Sequence, residues 1–261
     1  MTEKEAFDLA NIKKTSLIRG DCFEVFKNSE FCKDNSVDLI LSDPPYGVNF
    51  SKIQGDKKED VASWIPTFMQ KCYRALKDNS YCVLFVGVKN IENWIISGKE
   101  AGFEFKNIVA TRAFNNGSCI PKNNFGFQFQ PILVFSKGKG KNFNQVDFIP
   151  TSEDWLNDKR NKNPKPYTYA YPNWIKTEWA FATEKRASKN FHPTEKNIKL
   201  LKFFIELMTN EGSIIFDPFM GAGSTGLATI KAGNRYFKGI ELDEKYYDIA
   251  FKRMKELNEK Y

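Results

Sequence analysis

At 261 residues, 41% apolar and 27% charged, the chain can bury one large α/β core, and its aromatic content of 15%, led by 24 Phe, excludes disorder as its main state. It contains no apolar run of about 18 residues, and Met1-Thr-Glu-Lys-Glu-Ala-Phe7 lacks the basic-then-apolar order of a secretion signal, so no membrane partner and a cytoplasmic location are expected. Five scattered Cys without a Cys-x-x-Cys pair, and a single His, argue against a metal site or a disulfide framework, while a net charge of +7 favours a polyanionic partner.

From Ser16 to Phe135, short β-branched or aromatic runs alternate with longer amphipathic stretches, the pattern of a parallel sheet with crossover helices. The first strand lies around Leu17 and leads into Arg19-Gly-Asp21-Cys22. Val37–Ser42 reads as a buried strand that ends at a proline pair. Val61, Trp64, Ile65, Phe68, Met69, Cys72 and Leu76 fall at helical spacing and predict a helix over 61–77. A strand at Tyr81–Val86, a helix over 90–101 closed near Gly102, and strands at Ile108–Phe114 and Pro131–Phe135 follow.

Periodicity fades over 137–190. Eleven Lys/Arg face six Asp/Glu there, so this stretch carries +5 of the total +7, and nine aromatics are interleaved, Tyr167, Tyr169, Tyr171, Trp174 and Trp179 among them. Such a mixture neutralises phosphates and stacks on bases. It also fits a solvated insertion whose aromatics pack on the main domain. Thr194–Met208 then reads as a helix N-capped by Thr194, with Leu200, Leu201, Phe204, Ile205 and Met208 on its apolar side. The sharpest βαβ unit comes last: strand Ser213–Phe216, a glycine-rich turn, a helix over 224–231, the Gly233-Asn turn and strand Arg235–Glu241.

Two motifs carry chemistry. In Phe216-Asp-Pro-Phe-Met-Gly-Ala-Gly-Ser-Thr-Gly226, glycines directly after a strand let the backbone approach a ligand, and the next helix presents unpaired N–H groups. It is neither a Walker loop nor a dinucleotide fingerprint in its usual frame. Glu241, at the end of the next strand, is placed to accept both hydrogen bonds of a ribose diol. Together they point to an adenosyl ligand, although either alone fits a generic strand–turn–helix.

The second motif, Ser42-Asp43-Pro44-Pro45-Tyr46-Gly47, sits at the carboxyl end of a strand, where ligands bind in open α/β sheets. Two prolines stiffen the backbone and remove two N–H donors, leaving carbonyl acceptors without competitors. An exocyclic base amine has two hydrogens to donate and a lone pair delocalised into the ring. If the Asp43 carboxylate and the Pro44 carbonyl each take one hydrogen, the nitrogen is drawn towards tetrahedral geometry and its lone pair is released for attack. Tyr46 is then placed to stack on a base flipped out of the duplex. A rigid turn with a packing tyrosine is the plainer alternative.

The order of the pieces resembles the permuted β class of DNA amino-methyltransferases: Asp-Pro-Pro-Tyr first, a variable recognition region next, and Asp-Pro-Phe-x-Gly-x-Gly late in the chain. His192-Pro-Thr-Glu-Lys196 is similar to the family's His-Pro-Thr-x-Lys-Pro element, with Asn197 in place of its last proline, and Arg19-Gly-Asp21-Cys22 matches a further segment. The resemblance runs from about Leu17 to Met254, with 137–190 outside any motif. It implies a Rossmann-like α/β fold, a mostly parallel twisted sheet with helices on both faces. Residues 1–136 would be the catalytic half, 137–190 an inserted target-recognition region and 191–261 the half that binds S-adenosylmethionine (SAM). It implies that Asp217, Phe219, Gly221 and Gly223, with Ser224 and Thr225 at the helix start, cradle SAM. Glu241 would hold the ribose, Asp21 and Cys22 the adenine edge, and Thr194 the methionine end, with Asp43 between cofactor and base. Asp43, Pro44, Pro45 and Tyr46 would be catalytic, without a metal.

The expected activity is therefore methyl transfer from SAM to N6 of adenine in double-stranded DNA, with base flipping. Cytosine N4 is the alternative, since both amines pose the same donor problem; family members acting there more often carry Ser in place of Asp43. A catalytically silent module that binds SAM and nucleic acid is the non-enzymatic alternative. A homodimer and a cognate restriction endonuclease are further partners that the resemblance allows. The recognition sequence is not readable from the chain.

Overall fold

The computed structural model describes residues 8–27, 30–46, 58–112, 129–141, 143–144, 174–175 and 196–260. The elements run β1 (Asp8–Ile12), β2 (Thr15–Arg19), α1 (Cys22–Val25), β3 (Val37–Ser42), α2 (Lys58–Ala75), β4 (Leu76–Phe85) and α3 (Ile91–Glu100). After these come β5 (Glu104–Arg112), β6 (Phe129–Ser136), β7 (Trp174–Ile175), α4 (Ile198–Met208), β8 (Ile214–Asp217), α5 (Ser224–Ala232), β9 (Tyr236–Glu241) and α6 (Glu244–Asn258).

Among the described residues, nine strands join one sheet in the order β1-β2-β9-β8-β3-β4-β6-β5-β7. Strands β2, β9, β8, β3 and β4 are mutually parallel; β6 runs against β4 and β5, and β1 runs against β2 at the edge. The mixed α/β architecture expected from the alternation is present.

Strand pleating sorts side chains onto two cores. In β3, Val37 and Ile40 face one core and Leu39 and Leu41 the other; in β4, Cys82 and Leu84 oppose Val83 and Phe85. The first core is closed by α2 and α3 through Val61, Ile65, Phe68, Met69, Cys72 and Trp94. The second is closed by α4, α5 and α6 through Leu200, Phe204, Leu227, Ala250 and Met254. Strands buried on both faces are mostly apolar, which is why residues 39–41 of β3 and 81–85 of β4 read as continuous apolar runs.

The connections leaving β3 and β8 diverge. The chain passes from β3 to α2 on one face, and from β8 to α5 on the other, so the two neighbouring strands flank a topological switch point, the place where open α/β sheets bind ligands.

Four expectations change. The helix predicted to 77 ends at Ala75, and β4 starts at once at Leu76, with a register shift against β3 and a positive φ of 63° at Asn79. The amphipathic spacing continued across the boundary because Leu76 is buried in either geometry. Helix α4 is capped by Asn197 rather than Thr194: Asn197 Oδ1 accepts from the N–H groups of Lys199 and Leu200 at 2.8 and 3.3 Å. An extended Asn side chain reaches both donors of the first turn, so the helix begins at Ile198. Strand β1 and helix α6 were not foreseen. Lys137, counted above among the basic residues of the insertion, is buried; its ammonium meets the carbonyls of Leu76 and Tyr73 and the side chain of Asn35 at 2.9, 3.1 and 2.6 Å.

Candidate active site

Four carboxylates end or immediately follow four neighbouring strands at one edge of the sheet: Asp21 after β2, Glu241 on β9, Asp217 on β8 and Asp43 after β3. Parallel pairing sets them side by side, with Arg19 opposite Glu241, Asp217 opposite Gly239, and Ile40 opposite Phe216. The Asp-Pro-Pro-Tyr motif and the glycine-rich turn, 174 positions apart in the Asp43–Asp217 pair by subtraction of their numbers, thus meet at the same end of the sheet.

A side-chain bond joins them directly. Ser42 Oγ donates to Asp217 Oδ1 at 2.6 Å, both residues being buried. Asp217 Oδ1 also accepts from Phe219 N–H at 3.1 Å, and Thr225 adds a side-chain bond. Burial pushes this carboxyl up to about 6, the bonds from Ser42, Thr225 and Phe219 pull it down, and the charge of Asp43 pushes it up again. Asp217 therefore braces the turn from inside and ties it to the catalytic strand.

The glycine turn is shaped by backbone chemistry. Gly221 and Gly223 have φ of 51° and 83°, conformations that glycine adopts without a Cβ clash. A Cβ on Gly223 would lie 2.5 Å from Met254 Cε and 3.0 Å from Ala250 Cβ, so α6 packs directly against the turn. Arg253, from the same helix, donates to the Ala222 carbonyl at 2.7 Å. Glu241 closes the other side: its Oε2 accepts from Gly221 N–H and its Oε1 from Asp243 N–H, both at 2.8 Å. Burial raises its carboxyl to about 7 against the pull of those two N–H groups. Helix α5 starts at this turn with no side-chain cap and no acid in its first turn; Ser224 and Thr225 are buried there. Two glycines that keep side chains off the turn, an uncapped helix start and a carboxylate one strand away fit an adenosyl cofactor.

Phe219 lies against Phe68 and Trp64, with ring centroids 5.4 and 5.8 Å apart, which anchors the turn to α2. Asp21 caps α1 by accepting from Phe23 N–H at 2.7 Å and is exposed. Cys22, expected beside it at the ligand, turns its thiol into the core, where burial raises it well above the ordinary thiol value. Thr194 lies outside the described residues.

At the catalytic strand, both carboxylate oxygens of Asp43 are engaged. Tyr46 donates its hydroxyl to Oδ1 at 2.5 Å, and Lys196 Nζ lies 2.6 Å from Oδ2. The same ammonium donates to the Tyr46 hydroxyl at 3.0 Å and lies 5.4 Å from the ring centroids of Tyr46 and Phe85. Gln130 Oε1 is 3.2 Å from the Tyr46 hydroxyl, while its Nε2 donates to the Val86 carbonyl at 2.7 Å. Asn90 Nδ2 donates to the Tyr46 carbonyl at 3.0 Å. A Cβ on Gly87 would stand 3.0 Å from Tyr46 Cβ, so a bare backbone is what lets the tyrosine sit there. Pro44 is buried and, like Pro45, carries no N–H.

Lys196, Gln130, Asn90 and Gly87 had no role in the sequence reading. Lys196 was visible within His-Pro-Thr-Glu-Lys, but nothing local shows that it crosses to Asp43. Among the described residues no group of His, Cys, Asp and Glu is arranged to hold a metal, and no helix is long and apolar enough to cross a membrane.

Residues 37–252 match the DNA methylase family whose members act on N6 and N4 amines. The DNA adenine methyltransferase YhdJ of Escherichia coli K12 is 29% identical over 92% of this chain and 82% of its own length. The type II methyltransferase M.HpaI of Haemophilus parainfluenzae is 28% identical over 91% of this chain and 73% of its own. Among solved structures, the M1.HpyAVI–SAM complex superposes with a TM-score of 0.61 at 26% identity, covering 92% of this chain and 99% of that one. The cytosine-N4-specific PvuII DNA methyltransferase shares the fold, with a TM-score of 0.68 at 16% identity over 96% of this chain and 93% of its own. With a match over residues 37–252, and an Asp-Pro-Pro-Tyr and a glycine-rich turn brought to the same end of the sheet, this chain belongs to the N6/N4 family of SAM-dependent DNA methylases.

Proposed function

We propose that the chain methylates N6 of adenine in duplex DNA, on a base flipped into the cleft between the ends of β3 and β8. The observation that carries this reading is the position of Asp43, one strand from the glycine turn and tied to it through Ser42 and Asp217. SAM, when bound, would supply an activated sulfonium methyl for transfer to the amine nitrogen, with the neutral thioether as leaving group.

The protein's part is to prepare the amine. The Asp43 carboxylate and the Pro44 carbonyl accept its two hydrogens, which localises the lone pair and aims it at the methyl. The extra proton of the methylated nitrogen passes to Asp43 and then to water. Tyr46, held by Asn90 through its backbone and close to Gln130 through its hydroxyl, forms the stacking wall for the flipped base. The turn at 221–223 and the start of α5 would hold SAM, with Glu241 on the ribose, Asp21 near the adenine and Thr194 near the methionine end.

Adenine is preferred to cytosine on two supports: an Asp rather than a Ser at position 43, and the adenine specificity in the name of YhdJ. Residues 137–190, with their +5 charge and aromatics, would supply phosphate contacts and base readout. Trp174 and Ile175 of that stretch add β7 to the sheet beside Ala110 and Thr111. The type II relative suggests a restriction endonuclease as genetic partner. Sequencing DNA from a host that expresses the protein, with detection of modified bases, tests base and site together; N4-methylcytosine in place of N6-methyladenine would overturn the assignment.

A further inference from the structure

We infer that Lys196 is a base-recognition residue: paired with Asp43, it reads the ring nitrogen next to the target amine, N1 of adenine. This rests on the reading of the chain as an adenine methyltransferase and assigns a residue to the selection of its base.

The argument starts from what Lys196 does in the cleft. Its side chain is 17% exposed, that of Asp43 is 23%, and the two meet at 2.6 Å. Partial burial strengthens the charge–charge contact and makes a wandering, solvent-held lysine a poor description of it. An ammonium has three N–H donors. Among the described residues, Asp43 and Tyr46 take two of them. The pair therefore presents an anionic acceptor and a cationic donor side by side, next to the tyrosine proposed to stack on the base.

The edge of adenine that bears the reacting amine is the complement of such a pair. One amidine group places the N6–H donor beside the N1 acceptor. With the amine on Asp43, the neighbouring ring nitrogen falls to the ammonium. Thymine and guanine present the opposite order at the equivalent atoms, a carbonyl oxygen and a ring N–H, which sets acceptor against acceptor and donor against donor. Cytosine has the same amine-and-ring-nitrogen order as adenine, so this device selects aminated bases as a class. A hydrogen bond from a cation to the ring nitrogen also withdraws electron density and makes the amine hydrogens more acidic, which assists loss of the proton to Asp43.

The test uses the full chain and a duplex containing its mapped site, with the target adenine replaced by 1-deazaadenine, in which C–H stands for N1. DNA affinity is measured in the presence of S-adenosylhomocysteine, so that turnover is not needed. Wild type is expected to bind the analogue roughly 10- to 100-fold more weakly than the Lys196→Met ratio predicts, the range for a hydrogen bond to a charged group. The altered base pair affects both proteins alike and cancels in that ratio. Lys196→Arg, which keeps charge and donors, is expected to retain most of the sensitivity, and Lys196→Ala serves as a second donor-less variant if the Met protein does not bind S-adenosylhomocysteine. Equal sensitivity in wild type and donor-less variants, or none in wild type, overturns the inference and leaves Lys196 as a structural partner of Asp43. A wild-type protein that modifies no DNA would instead sink the functional reading beneath it.

Discussion

The two halves of the cleft are held by different means. The cofactor turn on β8 is braced by near neighbours and by its own backbone: Asp217 bonds Phe219 two residues on, Gly223 N–H bonds the Met220 carbonyl, and Glu241 and Arg253 close it from the next strand and helix. Tyr46 and Asp43, just after β3, depend on residues from three distant places, Asn90, Gln130 and Lys196. A turn that carries its own supports can be recognised in a short motif. A catalytic group supported from afar shows its identity in sequence and its environment only in three dimensions. The same contrast predicts how each half fails: the turn through strain and stability, the catalytic strand through turnover.

The largest effect is expected from Asp43→Ala, which removes the acceptor without touching the turn. Methyl transfer should fall by roughly a hundred- to ten-thousand-fold, the scale for a lost proton-accepting group, with SAM affinity near wild type. Calorimetry beside a methyl-incorporation assay separates the two, and a joint loss of both would erase the distinction between the halves.

Gly223→Ala should act the other way. The new Cβ meets Met254 and Ala250 at 2.5 and 3.0 Å and must adopt a φ of 83°. A loss of about 1–3 kcal/mol in stability is expected from strain and overpacking. Urea unfolding measures it, with weaker SAM binding as its companion; an unchanged midpoint would show that the turn yields easily.

Glu241 sharpens the comparison through pH. Burial raises its carboxyl to about 7, and ribose hydroxyls donate best to the ionised form, so SAM binding should release a proton in the acidic range. Affinity is expected to fall roughly tenfold for each pH unit below about 7 and to level off above it. In Glu241→Gln the affinity is lower and this slope disappears. The sign for folding is opposite: a carboxyl raised in the folded state favours the fold while protonated, and that contribution is lost as pH rises through about 7. A wild-type Kd that is flat between pH 5.5 and 8, values chosen to lie on either side of about 7, would remove Glu241 from the ribose.

The smallest effect belongs to Gln130→Ala. The 3.2 Å contact with the Tyr46 hydroxyl and the bond to the Val86 carbonyl are lost, each worth about 0.5–1.5 kcal/mol. A few-fold fall in kcat/KM with unchanged SAM affinity is expected in steady-state kinetics. A loss as large as that of Asp43→Ala would mean that Gln130 itself reaches the base.

Most of the architecture was legible because burial on both faces forces an unmistakable pattern. Residues 39–41 and 81–86 are apolar throughout, and the 213–241 unit is punctuated by glycines at its turns, including Gly233 with a φ of 70°. The α2–β4 boundary was not legible, since Leu76 is buried as either a helical or a strand residue. The cap of α4 was misread because Thr194 and Asn197 are both good capping types and only the backbone decides which oxygen meets the first N–H groups. The burial of the Cys22 thiol was not legible either, since a residue in the first turn of a short helix points where that helix packs.

What the chain determined by itself was chemistry that travels in short motifs: a carboxylate before two prolines, glycines after a strand, an acid at the next strand's end. These arise from local backbone demands, so they survive as neighbouring letters. What only the tertiary structure decided was which distant side chains meet them. Ser42 reaches Asp217 because the parallel strands β3 and β8 lie side by side and end together, and Lys196 reaches Asp43 from the residues just before α4. Sequence separation carries no record of that adjacency; packing of both sheet faces does.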